Sequence, residues 1–100
     1  PLTLVPDGTQ RRDYVHVSDV VEANMISAFK KDIESGEIYN VGTGISYSVQ
    51  EIADMISDNQ VFIEPRDGEA QETLSDCSKI KKAFSWEPKV NLKEWIQENK

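Results

Sequence analysis

The segment Ser48-Val49-Gln50-Glu51 constrains this chain more than any other short stretch. A serine followed three residues later by glutamate, ahead of apolar Val49, Ile52, Ala53 and Ile56, is a capping box opening an amphipathic helix. The spacing predicts that helix over about 48–58. Just upstream, Gly42-Thr43-Gly44 breaks the run Ile38-Tyr39-Asn40-Val41, which reads as a strand entering a tight turn. The same alternation recurs along the chain. Leu2-Thr3-Leu4-Val5 is a short apolar run closed by Pro6-Asp7-Gly8, where proline fixes φ and glycine accepts positive φ. Tyr14-Val15-His16-Val17 and Val61-Phe62-Ile63-Glu64 read as further strands, the latter stopped by Pro65.

Helical spacing of Val17, Val20, Val21, Met25, Ala28 and Phe29 predicts a helix over about 19–31, capped by Ser18 or Asp19. Lys30-Lys31 suits its C-terminal dipole, and Gly36 ends the turn that follows. Asp76 or Ser78 can cap a short helix over 78–84, and Asn91 a last one near 92–98 that presents Leu92, Trp95 and Ile96. Residues 65–75 are polar and read as a loop; Trp86-Glu87-Pro88 reads as a turn, because proline drives the preceding residue out of the α region. Strands alternating with helices, without repeats or a low-complexity linker, indicate one unit of the α/β class.

Charge and composition narrow the partners. The chain has 100 residues, 18 acidic and 11 basic, for a net charge of -7. Neither half holds a basic block able to neutralise a run of phosphates, so no nucleic-acid partner is expected. The apolar runs are far too short to span a bilayer, so no membrane partner is expected either. The single cysteine, Cys77, cannot form an internal disulfide, and no Cys/His set could close a zinc site. A reducing, cytoplasmic compartment is expected, and Pro1-Leu2-Thr3-Leu4 does not read as a secretory leader.

The most unusual stretch is Gln10-Arg11-Arg12-Asp13-Tyr14-Val15-His16-Val17-Ser18-Asp19. An arginine at the entrance to a strand can fork onto a phosphate or carboxylate. On chemistry alone the commoner outcome is a loop arginine paired with Asp13 or Asp19. His16 fits a packed, hydrogen-bonded histidine better than a general base or ligand, since nothing supplies a second ligand. Gly42-Thr43-Gly44 before a capped helix invites a phosphate loop. However, the third glycine of a dinucleotide fingerprint is missing and position 47 is tyrosine, which favours a plain strand-to-helix turn. Arg66-Asp67-Gly68-Glu69 could bring a second arginine and a carboxylate beside the first, or be a solvated turn. Trp86 and Trp95 suit packing, and Cys77 has no activating partner in the sequence.

Taken in order, five landmarks resemble the C-terminal part of the extended short-chain dehydrogenase/reductase family, the NAD-dependent epimerases and dehydratases of nucleotide sugars. They are the run Pro1 to Val21 with its Arg12-Asp13-Tyr14-Val15 core, Tyr39-Asn40-Val41-Gly42-Thr43-Gly44 with Ser48, Arg66 to Glu69, Asp76-Cys77-Ser78-Lys79, and Phe84-Ser85-Trp86-Glu87-Pro88. The resemblance implies a small mixed strand–helix α/β portion that binds the nucleotide sugar, without the Rossmann core. It implies that Arg12 and Arg66 contact the diphosphate or ribose, and that Glu69 hydrogen-bonds the ribose. Asn40, Gly42 and Gly44 shape a turn. The sequence departs from the family pattern at Val5, Pro6, Asp67 and Ser85. The family's Gly-rich dinucleotide motif and Tyr-x-x-x-Lys pair have no counterpart in these residues.

The expectation is therefore that residues 1–100 are the C-terminal portion of a nucleotide-sugar isomerase such as a UDP-sugar 4-epimerase, inactive alone. NAD would be bound by an upstream Rossmann domain and by nothing in this portion. Dehydratase, decarboxylase and reductase relatives stand close by, and a stand-alone nucleotide-diphosphate module or a remnant that binds nothing are the rival readings. The strand and helix over Tyr14–Phe29 would pack on the upstream domain, leaving an apolar face through which the isolated piece could self-associate.

Overall fold

Leucine and threonine in Leu2–Leu4 form strand β1, and Gln60–Phe62 form β4, paired in parallel with Leu2 opposite Gln60 and Leu4 opposite Phe62. The computed structural model describes residues 1–30 and 36–100, so Lys31 of the expected helix end lies outside the described residues. A second ladder joins β2 (Arg11–Arg12) antiparallel to β3 (Tyr47–Ser48), with Arg11 opposite Ser48 and Arg12 opposite Tyr47. The helices are α1 (Val17–Phe29), α2 (Val49–Ile56), α3 (Ser78–Phe84) and α4 (Leu92–Asn99). The arrangement is a small mixed α/β unit.

Helix α2 begins as its sequence dictates. Ser48 Oγ accepts from the Glu51 N–H at 3.0 Å, and the Ser48 N–H donates to Glu51 Oε2 at 3.0 Å. Val49 and Gln50 donate their N–H groups backwards to the carbonyls of Gln10 and Gly8, which fastens the helix start to the turn after β1. Buried Gln10 braces that turn from inside, accepting from Gly8 N–H and donating to the Val5 carbonyl. Helix α2 then packs on β1 and α4, burying Leu4, Ala53 and Ile96. Asn91 caps α4 by accepting from Glu94 N–H.

Two expected strands are not strands. Tyr14–Val17 gives up its β character because the ladder has moved back to Arg11–Arg12, and His16 already caps α1. Its Nδ1 accepts from Ser18 N–H at 3.0 Å, which puts the cap two residues before Ser18 and three before Asp19, the expected caps. Ile38–Val41 runs without ladder partners, and Tyr39 and Val41 instead lie against the main core. A ladder and helix cap in the first case, and core packing in the second, overrode a β-rich composition.

The main core gathers Ala23, Cys77, Ile80, Phe84 and Trp86, with Tyr39 tilted on Phe84 at a centroid distance of 4.9 Å. Trp86 is 1% exposed, and its indole N–H donates to the Asp19 carbonyl at 3.2 Å. Asp19, not a cap, is a buried brace: Oδ1 accepts from Lys89 N–H at 3.0 Å and Oδ2 from Val90 N–H at 3.1 Å. The buried face of α1 is therefore the one carrying Asp19 and Ala23. The stripe Val17, Val21, Met25 and Phe29, at four-residue spacing, faces outward.

Replacing Asp19 by alanine strands two backbone donors, an expected loss of about 3 kcal/mol. Ser18→Ala, at an exposed position beside the true cap, is expected to cost under about 1 kcal/mol. Urea unfolding of the two variants checks the ranking, and equal losses would contradict the role given to Asp19.

Candidate functional site

The site is organised by β2, a two-residue strand flanked on both sides. Besides β3, it receives the long loop: Arg11 N–H donates to the Gln71 carbonyl at 2.7 Å, and Thr73 N–H donates to the Arg11 carbonyl at 3.0 Å. These bonds carry residues 65–75 alongside Arg11–Arg12. Successive strand residues point to opposite faces, so the two arginines part.

Arg11 is consumed by structure. Its Nε donates to Ser46 Oγ at 3.0 Å and its Nη2 to the Ser46 carbonyl at 2.8 Å, with Glu51 and Glu72 at 3.5 and 3.7 Å. Arg12 lies on the other side. Its Nη1 donates to the Arg11 carbonyl at 2.7 Å, which orients the guanidinium, and its Nη2 donates to Glu69 Oε1 at 2.8 Å. Neither Asp13 nor Asp19 takes it, because both carboxylates are already filled by backbone donors. Arg66 is exposed on the same loop as Glu69 and makes no ion pair among the described residues. The structure thus brings Arg12 and Glu69 together and leaves Arg66 in solvent.

Asp13 is the residue whose importance the sequence hid. It accepts from Thr43 N–H and Oγ1, from Gly44 N–H at 2.9 Å and from Ser75 N–H at 3.1 Å. One carboxylate so ties β2 to the Gly42–Gly44 turn and to the end of the 65–75 loop. The turn needs its glycine for space: a Cβ on Gly42 would lie 2.5 Å from Ser75 Cβ and 2.9 Å from Asp13 Oδ2. Gly44 needs it for conformation, with φ at +78°. The usable signal was a Gly-x-Gly turn with free N–H groups, which wants an acceptor from elsewhere in the chain.

A cavity of about 260 Å³ opens where Tyr14, Ile45, Tyr47, Lys89 and Asn91 meet, next to the Arg12–Tyr47 rung. His16 stands beyond it, hydrogen-bonded to Ser18 and tilted against half-exposed Trp95 at 6.0 Å between centroids. No group of three or more metal-ligating side chains meets among the described residues. No helix among them is long and apolar enough to cross a membrane.

A mixed α/β unit with this arginine–carboxylate pair is set within a class by its kinship. A family model described as GDP-mannose 4,6 dehydratase matches residues 2–99, and the chain belongs to that family, among the NAD-dependent nucleotide-sugar epimerases and dehydratases. The chain is 36% identical over 96 residues to a UDP-glucose 4-epimerase of Bacillus subtilis, covering 88% of itself and 28% of that relative. It is 37% identical over 98 residues to UDP-arabinose 4-epimerase 1 of Arabidopsis thaliana, covering 91% and 23%. Among solved structures, UDP-glucose 4-epimerase of Thermotoga maritima with UDP-glucose superposes at a TM-score of 0.81 and 34% identity, over 96% of this chain and 32% of that one. UDP-glucuronic acid 4-epimerase of Bacillus cereus, in complex with UDP-glucuronic acid and NAD, gives 0.87 and 28%, over 97% and 33%. The chain thus spans about a third or less of the length of the proteins it matches.

Burial pushes the Asp13 carboxyl up, but the hydrogen bonds from Thr43, Gly44 and Ser75 outweigh it and hold it below its ordinary 3.8. A depressed folded value means that ionised Asp13 contributes fully above 3.8 and that its contribution is lost as pH falls through the folded value. The melting-temperature gap between the wild type and Asp13→Asn is therefore expected to be widest near neutrality and to close on acidification below that value. A gap independent of pH would contradict it.

Proposed function

We propose that residues 1–100 are the C-terminal, nucleotide-sugar-binding portion of an NAD-dependent UDP-sugar 4-epimerase. The observation that carries the reading is the oriented Arg12 guanidinium, set beside Glu69 of the loop that also carries exposed Arg66, in a chain whose relatives are UDP-sugar epimerases. An arginine whose geometry is already fixed loses little freedom on gripping a diphosphate, and the charge-assisted bonds that form are the strong kind. Arg66, unpaired among the described residues, supplies a second positive arm. Glu69 offers acceptors to ribose hydroxyls.

NAD, held by an upstream domain, supplies hydride transfer in such an enzyme; these 100 residues hold neither the Gly-rich motif nor the Tyr-x-x-x-Lys pair. Their part is to bind the nucleotide and present the sugar. Titration of the chain with UDP, dTDP and GDP at low salt, followed by amide NMR, tests this. Shifts are expected around Arg12 and Arg66. Arg12→Ala is expected to weaken binding by about 1.5–3 kcal/mol, roughly tenfold to a hundredfold. Undiminished affinity in that variant would remove Arg12 from the site.

The outward stripe Val17, Val21, Met25 and Phe29 supports docking of the upstream NAD-binding domain on α1. With that face bare, the isolated chain is expected to self-associate in sedimentation velocity, and Met25→Glu to return it to monomer. A wild type that stays monomeric at high concentration would argue against the docking face.

A further inference from the structure

A histidine that caps a helix can do so in only one of its charge states. His16 holds α1 by accepting: its Nδ1 takes the Ser18 N–H at 3.0 Å and lies 2.8 Å from Ser18 Oγ. A backbone N–H only donates, so this cap exists only while Nδ1 carries no proton. Asp19 and Val20 give their N–H groups to the His16 carbonyl, whereas the Ser18 N–H is met by the ring alone. A proton on Nδ1 turns the acceptor into a donor. Ser18 Oγ can rotate to accept it, but the Ser18 N–H is stranded. A positive charge then also stands at the positive end of the helix dipole.

The opposite wall suits the charged ring. His16 is tilted against half-exposed Trp95, and a groove of about 400 Å³ beside the two rings is lined by Lys89, Glu94 and Glu98. Lys89 is committed to the Glu22 carboxylate at 2.7 and 2.8 Å. Glu94 and Glu98 stand one turn apart on α4 and make no ion pair among the described residues. Like charges at that spacing repel mildly, and a cation between them relieves it. On the α1 side, Asp19 has both oxygens filled by the Lys89 and Val90 N–H groups, and Tyr14 lines the apolar lobe of the groove. An imidazolium therefore loses its partner on α1 and finds two carboxylates and an indole on α4.

We propose that His16 is a proton-operated latch. Neutral, it closes the first turn of α1; protonated, it releases that turn and moves to the Trp95, Glu94 and Glu98 wall of α4. Val17, the first residue of α1 and of the outward stripe, is freed with the cap, so the latch acts on one end of that apolar face.

Amide and imidazole NMR of the chain from pH 5 to 8, the range in which histidine changes charge, tests the latch. His16→Asn is the comparison, because asparagine caps a helix without titrating. In the wild type, the Ser18 amide, the His16 ring and the Trp95 indole are expected to shift with one midpoint, and the Trp86 indole to stay still. Protection of the Ser18 amide, corrected for its intrinsic exchange rate, should fall about fivefold on the acid side, the worth of an N-cap. In His16→Asn that protection should not change. Ser18 protection that is constant through the ring's titration, or that falls equally in His16→Asn, would overturn the latch. A Ser18 response with the Trp95 indole unmoved would overturn the move to α4. Should the variant not fold, separate midpoints for Ser18 and the ring in the wild type would overturn the proposal by themselves.

Discussion

The carboxylate of Asp13 is the constraint on which the geometry of this chain's site depends. A negative group that collects N–H donors from Thr43, Gly44 and Ser75 fixes three segments that are distant in sequence: β2, the glycine turn, and the end of the 65–75 loop. None of the three is long enough to hold itself. Strand β2 has two residues, too few for an independent ladder, and the loop has no regular structure over most of its length. Cross-linking them through one acceptor lets short pieces behave as a rigid frame. The same frame decides which arginine meets Glu69. Arg11 is drawn into Ser46, Glu51 and Glu72, and Arg12 is left to face Glu69.

A second buried acid performs the corresponding task for the helical half. Asp19 meets the backbone of Lys89 and Val90 with both oxygens while its own carbonyl takes the Trp86 indole. A buried carboxylate is costly unless its lone pairs are met, and here backbone donors meet them without a countercharge. The arrangement sets α1 against the segment leading into α4 and turns the helix so that its apolar stripe faces away from the core. Helix α1 is therefore amphipathic in an unusual sense: its buried side carries a charge and its exposed side the larger hydrophobes.

What the sequence made legible follows from the range of the interactions involved. The α2 capping box and the Asn91 cap are local devices, written within four residues, and each stands where the pattern put it; α3 keeps its expected span, but its N-cap is Cys77, without a side-chain cap bond, and not Asp76 or Ser78. The parallel pairing of β1 with β4 matches two apolar runs read as strands, though their register was not visible. The caps of α1 and α3 were misplaced locally, by one to three residues; the misread strands and acids are non-local failures. Tyr14–Val17 and Ile38–Val41 have strand-like composition, and their fates were decided by partners dozens of residues away. Asp13 and Asp19 look like ordinary surface acids or arginine partners, since nothing nearby tells which backbone donors will lack an acceptor. Of the site, Arg12 and Glu69 were visible through family resemblance. Their meeting was not, because it depends on the hydrogen bonds of Arg11 to residues 71 and 73.

Strand β2 also makes chain length a determinant of chemistry. Neighbouring residues on a strand face opposite ways, so a shift of one position would send Arg12 into the Ser46 socket and turn Arg11 towards Glu69. The register is set by the turn from Val5 to Gln10, whose buried glutamine measures the distance from β1 to the start of α2. An insertion or deletion in that turn would thus exchange the duties of two identical side chains without altering either. In a protein with paired arginines, the spacer before them is part of the site.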